Sequence, residues 1–538
     1  MRTNLLVLLF IVSFYSGLLI ISGTLGSGFH FKDDSQILSG ARGNNGTGFL
    51  AGAKKSVLDE IFKEHIRFRP FRNLHRFLEI RSFGDNFKLF YVYHTFLAVV
   101  CAYFLFLFMR AMGYDAAESL FFSFLTLIGQ QVPIWWRLGV AESIGMVFFS
   151  GALFFMAKGV RSGGKAYGVI SLSMLFISSL CKESFIVIVP AFFFWKVWLC
   201  SKRDNVPFIR AAAGNITAAA VLFSILAFDI YIIRHYVDIH KESMAGFGEG
   251  TFLAMMIRNP LFAAREFKLF LLDLIELIPV LVIFFGVFIV GESYFGDKRK
   301  IDALSVKKIF GTDTFKALTL FLLILIPEMA LYNKTGLVHR FLLPAFLGTA
   351  FMVVYLIRRI RKDKRVTVFS KLVFFTLVFL MFIPRLGYGY FRVKYLADEG
   401  KQTNAFLKEI IRTAGVKDRI LAVVDPVINC EASFTMPVYL SHYGQISGEN
   451  LYYMFIFTDR VFVDKAETRR LKEEAKTRYT GRWLKDIKDP ENIKTIAVFP
   501  GLEKDFLLGS EAWFNAGKYE RKAFRYPEGE FVVYSDRS

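Results

Sequence analysis

The chain of 538 residues is long enough for three or four soluble domains of about 100–200 residues each. Its composition excludes that organisation, because 54% of the residues are hydrophobic, 62 are Phe, and the mean hydropathy is +0.41. The net charge of +20 does not indicate nucleic-acid binding, since nearly all of the excess positive charge lies before residue 387. The sequence therefore predicts a multi-pass membrane protein that binds no nucleic acid.

Eleven apolar segments are predicted to be spanning helices, because a span needs about 20 largely apolar residues. Lys and Arg accumulate in alternate short connections, which the positive-inside rule assigns to the cytoplasm. The N-terminus is then cytoplasmic, whereas the first loop (23–88) and the region 387–538 are extracytoplasmic. The predicted spans are 4–22, 89–109, 119–135, 141–157, 168–181, 184–200, 211–233, 268–291, 316–332, 341–357 and 368–386.

The first apolar segment has two interpretations. Arg2, the apolar run and the small residues Ser22 and Gly23 also resemble a secretory signal peptide. We favour a retained helix, and either interpretation leaves the first loop outside.

The C-terminal region has a different composition from the rest of the chain. Helical spacing at 404–414 precedes the β-rich run Ile420–Val424, and similar short runs recur at 496–499 and 531–534. The predicted fold is thus mainly α: a transmembrane bundle of about 11 helices in residues 1–386, with an extracytoplasmic α/β domain in residues 387–538.

An acidic pair, Asp33 and Asp34, follows the first apolar segment closely. Adjacent carboxylates repel each other, which raises the pKa of one of them and suits a general base. The structural alternative is a solvated turn or an N-cap for the next helix. Both interpretations stay open at this stage.

A basic and aromatic stretch at 65–76 contains Arg69 and Arg72. Guanidinium groups at a membrane interface can hold a phosphate through two hydrogen bonds. Plain attraction to anionic lipid headgroups explains the same residues equally well.

Six further candidates for binding a lipid phosphate lie at the predicted outer ends of helices. Ionisable groups at the edge of a membrane core are costly, which makes each of them a hypothesis of function. Ion pairing alone would explain the first four, and snorkelling to the interface would explain the last arginine. They are Arg137 and Glu142, Lys182 and Glu183, and His339 and Arg340.

Several short motifs resemble those of GT-C glycosyltransferases, in particular the dolichyl-phosphate-mannose-dependent protein mannosyltransferases and their bacterial relatives. Besides the acidic pair, they are Arg69-Pro70, Gly84-Asp85-Asn86 leading into a helix with His94, Lys182-Glu183, and His339-Arg340 before Pro344. The resemblance covers the whole chain in layout and the first 185 residues in most of its motifs. Many members of the family have Asp-Glu where this chain has Asp-Asp.

The resemblance implies an inner-membrane glycosyltransferase that moves a sugar from a polyprenyl-phosphate carrier to a glycan, lipid or protein acceptor outside, with inversion. Asp33 or Asp34 would take the proton of the acceptor, and Arg69, Lys182 and Arg340 would stabilise the leaving phosphate. A divalent cation, Mg²⁺ or Mn²⁺, is compatible with paired carboxylates, although some relatives work without one. An O-antigen polymerase or ligase, and a lipid or solute transporter, are the alternatives; a transporter usually has internal repeats, and none is evident here.

Overall fold

The computed structural model describes most of the membrane part and most of the C-terminal region. The described residues are 2–31, 34–43, 48–58, 68–129, 131–236, 274–295, 313–332, 343–426, 429, 432–457, 482–484, 489–526 and 529–537.

Helices occupy all eleven places at which the sequence predicts a span. Seven helices are long and apolar enough to cross a membrane within the described residues. The helices are α1 (Arg2–Ile21), α2 (Ser35–Gly43), α3 (Phe49–Leu58), α4 (Pro70–Phe83), α5 (Phe87–Ala111), α6 (Ala116–Leu127), α7 (Glu142–Ser162), α8 (Lys165–Ser179), α9 (Ser184–Val187), α10 (Val189–Asp204), α11 (Phe208–Ala213), α12 (Ile216–Tyr236), α13 (Leu274–Phe295), α14 (Asp313–Tyr332), α15 (Leu343–Lys362) and α16 (Val368–Thr413).

Helix α7 packs closely on α5 and on α8, and its first turn also meets Phe185 of α9. Glycines on α7 permit this approach: a Cβ atom at Gly145 would lie within 2.2 Å of the Phe185 ring, and one at Gly151 within 2.2 Å of the Met174 side chain. Small residues bring helices together in membranes because packing, and not the exclusion of water, drives their association there.

The predicted span 119–135 is only partly helical. The α-helix ends at Leu127, Ile128 is extended, and Gly129 has a φ of 140°, which L side chains rarely adopt. A short 3₁₀ helix, Val132–Trp135, follows and begins beside Pro133. The helical period of the apolar residues continues through this region, but the backbone leaves the helix, because Gly129 and Pro133 both disfavour it.

The C-terminal region contains a six-stranded mixed sheet. Its strands are β1 (Ile420–Val424), β2 (Leu451–Phe455), β3 (Arg482–Trp483), β4 (Thr495–Val498), β5 (Tyr519–Tyr526) and β6 (Gly529–Asp536), in the spatial order β3-β2-β1-β4-β6-β5. The first four are parallel, and β6 pairs antiparallel with β4 and β5. Helices α17 (Ala432–Gly444) and α18 (Glu503–Ser510) complete the domain. A mainly α protein with a small C-terminal α/β domain is confirmed.

Helix α16 joins the two parts. Its 46 residues run without a break from the apolar bundle into the C-terminal domain, and the predicted border between residues 386 and 387 lies inside it.

The first loop packs into the C-terminal domain. Phe29 and Leu38 belong to the domain's buried core, and the ring of Phe31 lies 5.1 Å from that of Phe499. The Asn404 side chain of α16 donates hydrogen bonds of 2.8 Å to the carbonyl oxygens of Ser27 and Phe29. The two segments predicted to be extracytoplasmic therefore lie at the same end of the bundle, which we call the outer end.

Candidate functional site

Asp34 lies directly before α2 and is fully buried. Its Oδ2 atom accepts a 2.9 Å hydrogen bond from the backbone N–H of His30, which closes the loop between the two residues. Burial of this carboxylate in the loop agrees with a positioning role and removes it from contact with solvent. Asp33, the other member of the acidic pair, is outside the described residues.

His30 is a buried histidine that the sequence analysis did not select. Burial lowers the pKa of its imidazole to about 4, against the opposing attraction of Glu399 on α16; the charge of Arg137 lowers it further. The ring fits against Gly400, where a Cβ atom would lie 2.6 Å from Nε2. At neutral pH the loop thus contains an uncharged imidazole with charged groups of both signs nearby.

Arg72 connects the first loop to the membrane bundle. Its guanidinium donates to the Gln36 side chain of α2 (2.8 Å), to Asn73 Oδ1 (3.1 Å) and to the carbonyl oxygen of Gly139, before α7 (2.7 Å). Gln36 is two residues from Asp34, so Arg72 links the segment that contains Asp34 to the outer end of α7.

Arg69 and Glu183 form a bidentate ion pair. Nε donates to Oε1 at 3.2 Å and Nη2 to Oε2 at 2.8 Å, and both side chains are about 15% exposed. Arg69 immediately precedes the helix-starting Pro70, and the N–H of Phe71 donates to the carbonyl oxygen of Leu180, which holds this end of α4 against the turn that carries Glu183. Two parallel hydrogen bonds fix the guanidinium plane as well as its position.

Lys182 and Glu142 form a second ion pair, which is almost completely buried. Burial lowers the pKa of the Lys182 ammonium to about 8, although the Glu142 carboxylate raises it. Both ion pairs occur at the same turn between α8 and α9, because Lys182 and Glu183 are adjacent in the chain.

Arg137 is half-buried. In the chain it follows the 3₁₀ helix Val132–Trp135 and precedes Gly139, whose carbonyl oxygen accepts from Arg72. The Arg137 guanidinium makes no hydrogen bond or ion pair among the residues that the structure describes. It is therefore a cation near the outer end without a salt bridge to a described carboxylate.

Six of the predicted phosphate-binding residues thus meet at the outer end of the bundle, through elements far apart in the chain. We call them the outer cluster: Arg69, Arg72, Arg137, Glu142, Lys182 and Glu183. The other two, His339 and Arg340, are outside the described residues.

Two buried acids on spanning helices add to this region, and the sequence analysis missed both. Glu328 on α14 is 0% exposed, interacts electrostatically with Lys182 and Glu142, and forms no hydrogen bond within the described residues. Asp229 on α12 is also 0% exposed and lies beside Ser179. An ionisable residue inside an apolar segment was the available signal, because such residues usually face the protein interior.

A separate buried cluster surrounds Glu79 on α4. Its Oε1 lies 2.8 Å from His94 Nε2, and its Oε2 lies 3.2 Å from Arg76 Nη1. Burial would raise the pKa of Glu79, but the charges of Arg76 and His94 outweigh it and lower the pKa to about 2. His94, one of the residues that carry the family resemblance, therefore joins α5 to α4.

A metal centre is not assembled by the described part of the chain, where no three His, Cys, Asp or Glu side chains are grouped closely enough to hold an ion. The proposed Mg²⁺ or Mn²⁺ would depend on Asp33, which is outside that part, so the divalent cation stays a hypothesis.

Several solved structures resemble this chain in overall layout, and two of them are described here. ArnT from Cupriavidus metallidurans in the apo state is 12% identical, with 97% of this chain and 97% of that chain covered and a TM-score of 0.44. The Archaeoglobus fulgidus oligosaccharyltransferase, in a complex with Zn and sulfate, is 12% identical, with 88% of this chain and 65% of that chain covered and a TM-score of 0.39. No family model and no curated protein matches the sequence.

Proposed function

We propose that this protein is a GT-C type membrane glycosyltransferase, which moves a sugar from a polyprenyl-phosphate carrier to an acceptor at the outer end, with inversion at the anomeric carbon. The observation that supports it is the outer cluster: three arginines and a lysine gather at one end of an apolar bundle, and Arg72 connects them to the loop of Asp33 and Asp34. A reaction at a lipid phosphate needs cations at the membrane surface and a proton acceptor close to them.

Asp33 is the proposed general base, and Asp34 the proposed positioning residue. Asp34 is fully buried and accepts the His30 N–H, so an acceptor hydroxyl could not reach its carboxylate without opening the loop. Asp33, the preceding residue, would then remove the proton of the acceptor hydroxyl as the hydroxyl oxygen attacks the anomeric carbon. A positioned carboxylate contributes about 10²–10⁴-fold to such a step.

The cations of the outer cluster are the proposed binding groups for the phosphate that leaves. Arg137 forms no ion pair with a described carboxylate, and it would meet the phosphate as a cation without a salt-bridge partner there. Arg69 and Lys182 are paired with Glu183 and Glu142, which fixes their positions before the carrier binds. Preorganised cations stabilise developing charge without a further cost of reorganisation. His339 and Arg340 stay proposed members of the site on the basis of sequence.

The C-terminal domain is the proposed binding region for the acceptor. It packs directly on the first loop through Phe29 and Phe31, only a few residues from Asp33. An acceptor bound on this domain would therefore be near the proposed base.

The test compares Asp33→Asn, Asp34→Asn and the control Asp398→Asn, an exposed carboxylate on α16 that pairs with Lys394. Membranes containing each variant receive a radiolabelled polyprenyl-phosphate sugar, and transfer of label and thermal stability in detergent are both measured. We expect Asp33→Asn to lose about 10²-fold or more of transfer with unchanged stability. Asp34→Asn should lower the melting temperature, and Asp398→Asn should match the wild type.

Wild-type transfer by both Asp33→Asn and Asp34→Asn would disprove the assignment of the base. Substrate uptake into sealed vesicles without a covalent product would favour the alternative function, a transporter.

The buried ion pair is tested separately with Lys182→Met and the double variant Lys182→Met/Glu142→Gln. The single variant leaves Glu142 buried without its cation, which costs about 3–5 kcal/mol, whereas the double variant removes both charges and should recover most of that stability. If Lys182 binds the carrier phosphate, the double variant stays inactive although it folds. Recovery of transfer together with stability would mean that Lys182 has only a structural role.

A further inference from the structure

A second charged site lies at the opposite end of the bundle from the outer cluster. A surface cavity of about 350 Å³ is lined by the ends of α10, α14 and α15 and by the connection between α5 and α6. Helix α10 begins next to the turn of Lys182 and Glu183 and reaches the cavity at Lys202, so about 20 Å of helix separate the two sites. This cavity takes no part in the proposed transfer reaction.

The cavity wall is strongly basic. Four cations, Lys202, Arg358, Arg359 and Lys362, face a single carboxylate, Asp313. We call these four residues and the space between them the basic pocket. Asp313 is already engaged, because Lys202 Nζ lies 2.9 Å from its Oδ2 and Trp198 Nε1 donates to its Oδ1 at 3.1 Å. Arg359 Nη2 lies 3.9 Å from Oδ2 of Asp363, which is not part of the wall. The wall therefore has an excess of positive charge after both ion pairs are counted.

Aromatic side chains hold two of these cations in place. The Arg358 guanidinium lies 4.5 Å from the centre of the Tyr114 ring and donates a 2.9 Å hydrogen bond to the carbonyl oxygen of Gly113. Lys202 lies over the Trp198 ring at 4.9 Å. Cations stacked on aromatic faces lose less conformational freedom when a ligand arrives, because their positions are set beforehand.

Lys362 is the cation that remains available. It is exposed at the C-terminal end of α15, and it forms no hydrogen bond or ion pair with any described residue. By contrast, its neighbour Arg361 is engaged outside the cavity by Asp115 and Glu118.

We infer that the basic pocket binds a phosphate group. A concave site with fixed guanidinium and ammonium donors and aromatic walls matches the charge and the hydrogen-bond acceptors of a phosphate ester. Two sources supply this chemistry at a membrane surface: the headgroup of an anionic phospholipid, and a soluble phosphate. The general tendency of basic residues to collect at one side of a membrane protein explains the charge but does not explain a cavity with preset cations.

The test uses the full-length protein purified in detergent and the matched variants Lys362→Glu and Lys364→Glu. Both lysines are exposed and two residues apart, and only Lys362 lines the cavity. Binding of phosphatidylglycerol, with zwitterionic phosphatidylcholine as a reference, is measured by native mass spectrometry, and binding of inorganic phosphate and glycerol 3-phosphate by the shift in melting temperature.

For each phosphate-containing probe that binds the wild type, we expect Lys362→Glu to weaken binding about tenfold. Lys364→Glu should change the same binding less than about threefold. Binding of phosphatidylglycerol without an effect of the soluble phosphates would identify a lipid headgroup, and the reverse would identify a soluble ligand; both support the pocket. Equal losses in the two variants would reduce the effect to general attraction and overturn the inference. Failure of phosphatidylglycerol, inorganic phosphate and glycerol 3-phosphate to bind would also overturn it.

Discussion

His30 and Asp34 are four residues apart in the first loop, and the fold buries both of them. Burial lowers the pKa of the His30 imidazole and keeps it neutral at pH 7, and the Asp34 carboxylate accepts the backbone N–H of the same histidine. Burial, and not residue type, therefore makes His30 and Asp34 structural groups of the loop, because neither is accessible to a reactant.

The neutral imidazole of His30 predicts an acid-sensitive loop. Its pKa is about 4 in the folded protein and near 6.5 in the unfolded chain, so between these values only the unfolded chain binds the proton. Stability is therefore complete above pH 6.5 and is lost as the pH falls towards 4, by about 3 kcal/mol for this group. His75, whose pKa burial also lowers to about 4, contributes in the same range.

Melting temperatures in detergent between pH 7.5 and 4.5 test this prediction. His30→Gln cannot ionise at this position and should lose a large part of the wild-type pH dependence. The control His235→Gln removes an exposed histidine of α12 and should keep the full dependence. The same slope in His30→Gln as in the wild type would contradict a buried neutral imidazole.

Helix α16 fixes the position of the first loop relative to the bundle. It packs on the turn at Thr24–Gly26, and its Gly400 lies against Ser27 and His30. Asn404, one turn later, donates to two carbonyl oxygens of the loop. A side chain at position 400 would separate the helix from the loop, because a Cβ atom there would lie 2.6 Å from His30 Nε2 and 2.9 Å from the Ser27 carbonyl oxygen.

Gly400→Ala and Gly387→Ala form a matched pair on this helix. The first introduces a clash and should destabilise the protein by about 1–3 kcal/mol. The second has no atom within 4 Å of the new methyl group and should be neutral or stabilising by up to about 1 kcal/mol, because Ala favours a helix. Melting temperature and proteolysis of the first loop measure the effect. An equally stable Gly400→Ala variant would show that the loop does not lie against the helix.

The whole molecule has two polar ends separated by apolar helices. The outer end combines the first loop, the C-terminal domain and the outer cluster, and the opposite end carries the basic pocket and the basic last turn of α15. We predict that the outer end is extracytoplasmic, because the basic connections lie at the other end.

Cysteine labelling tests this orientation in intact cells. Ser447→Cys in the C-terminal domain should react with a membrane-impermeant maleimide, whereas Lys364→Cys after α15 should react only when the membrane is opened. The native Cys101, Cys181 and Cys200 are buried and should give little background, and Cys430 is replaced by Ser in all variants. The reverse labelling pattern would invert the proposed topology.

The positions of helices and strands follow from local sequence, because length and apolar content define a span locally: all eleven predicted segments overlap helices, and the run Ile420–Val424 is a strand. The sequence also selected the charged residues at helix ends, since charge next to an apolar run is visible along the chain. It did not detect the break after Leu127, where Gly129 interrupts an otherwise apolar helical pattern.

Which of these charges meet depends on how distant segments pack together. Arg69 and Glu183 are 114 residues apart, Lys182 and Glu142 are 40 apart, and Asn404 contacts a loop more than 370 residues before it. Burial of Asp34 and His30, and the presence of Glu328 beside Lys182, likewise depend on several helices at once. Contacts of this kind arise from packing between distant segments, so no local pattern of residues specifies them.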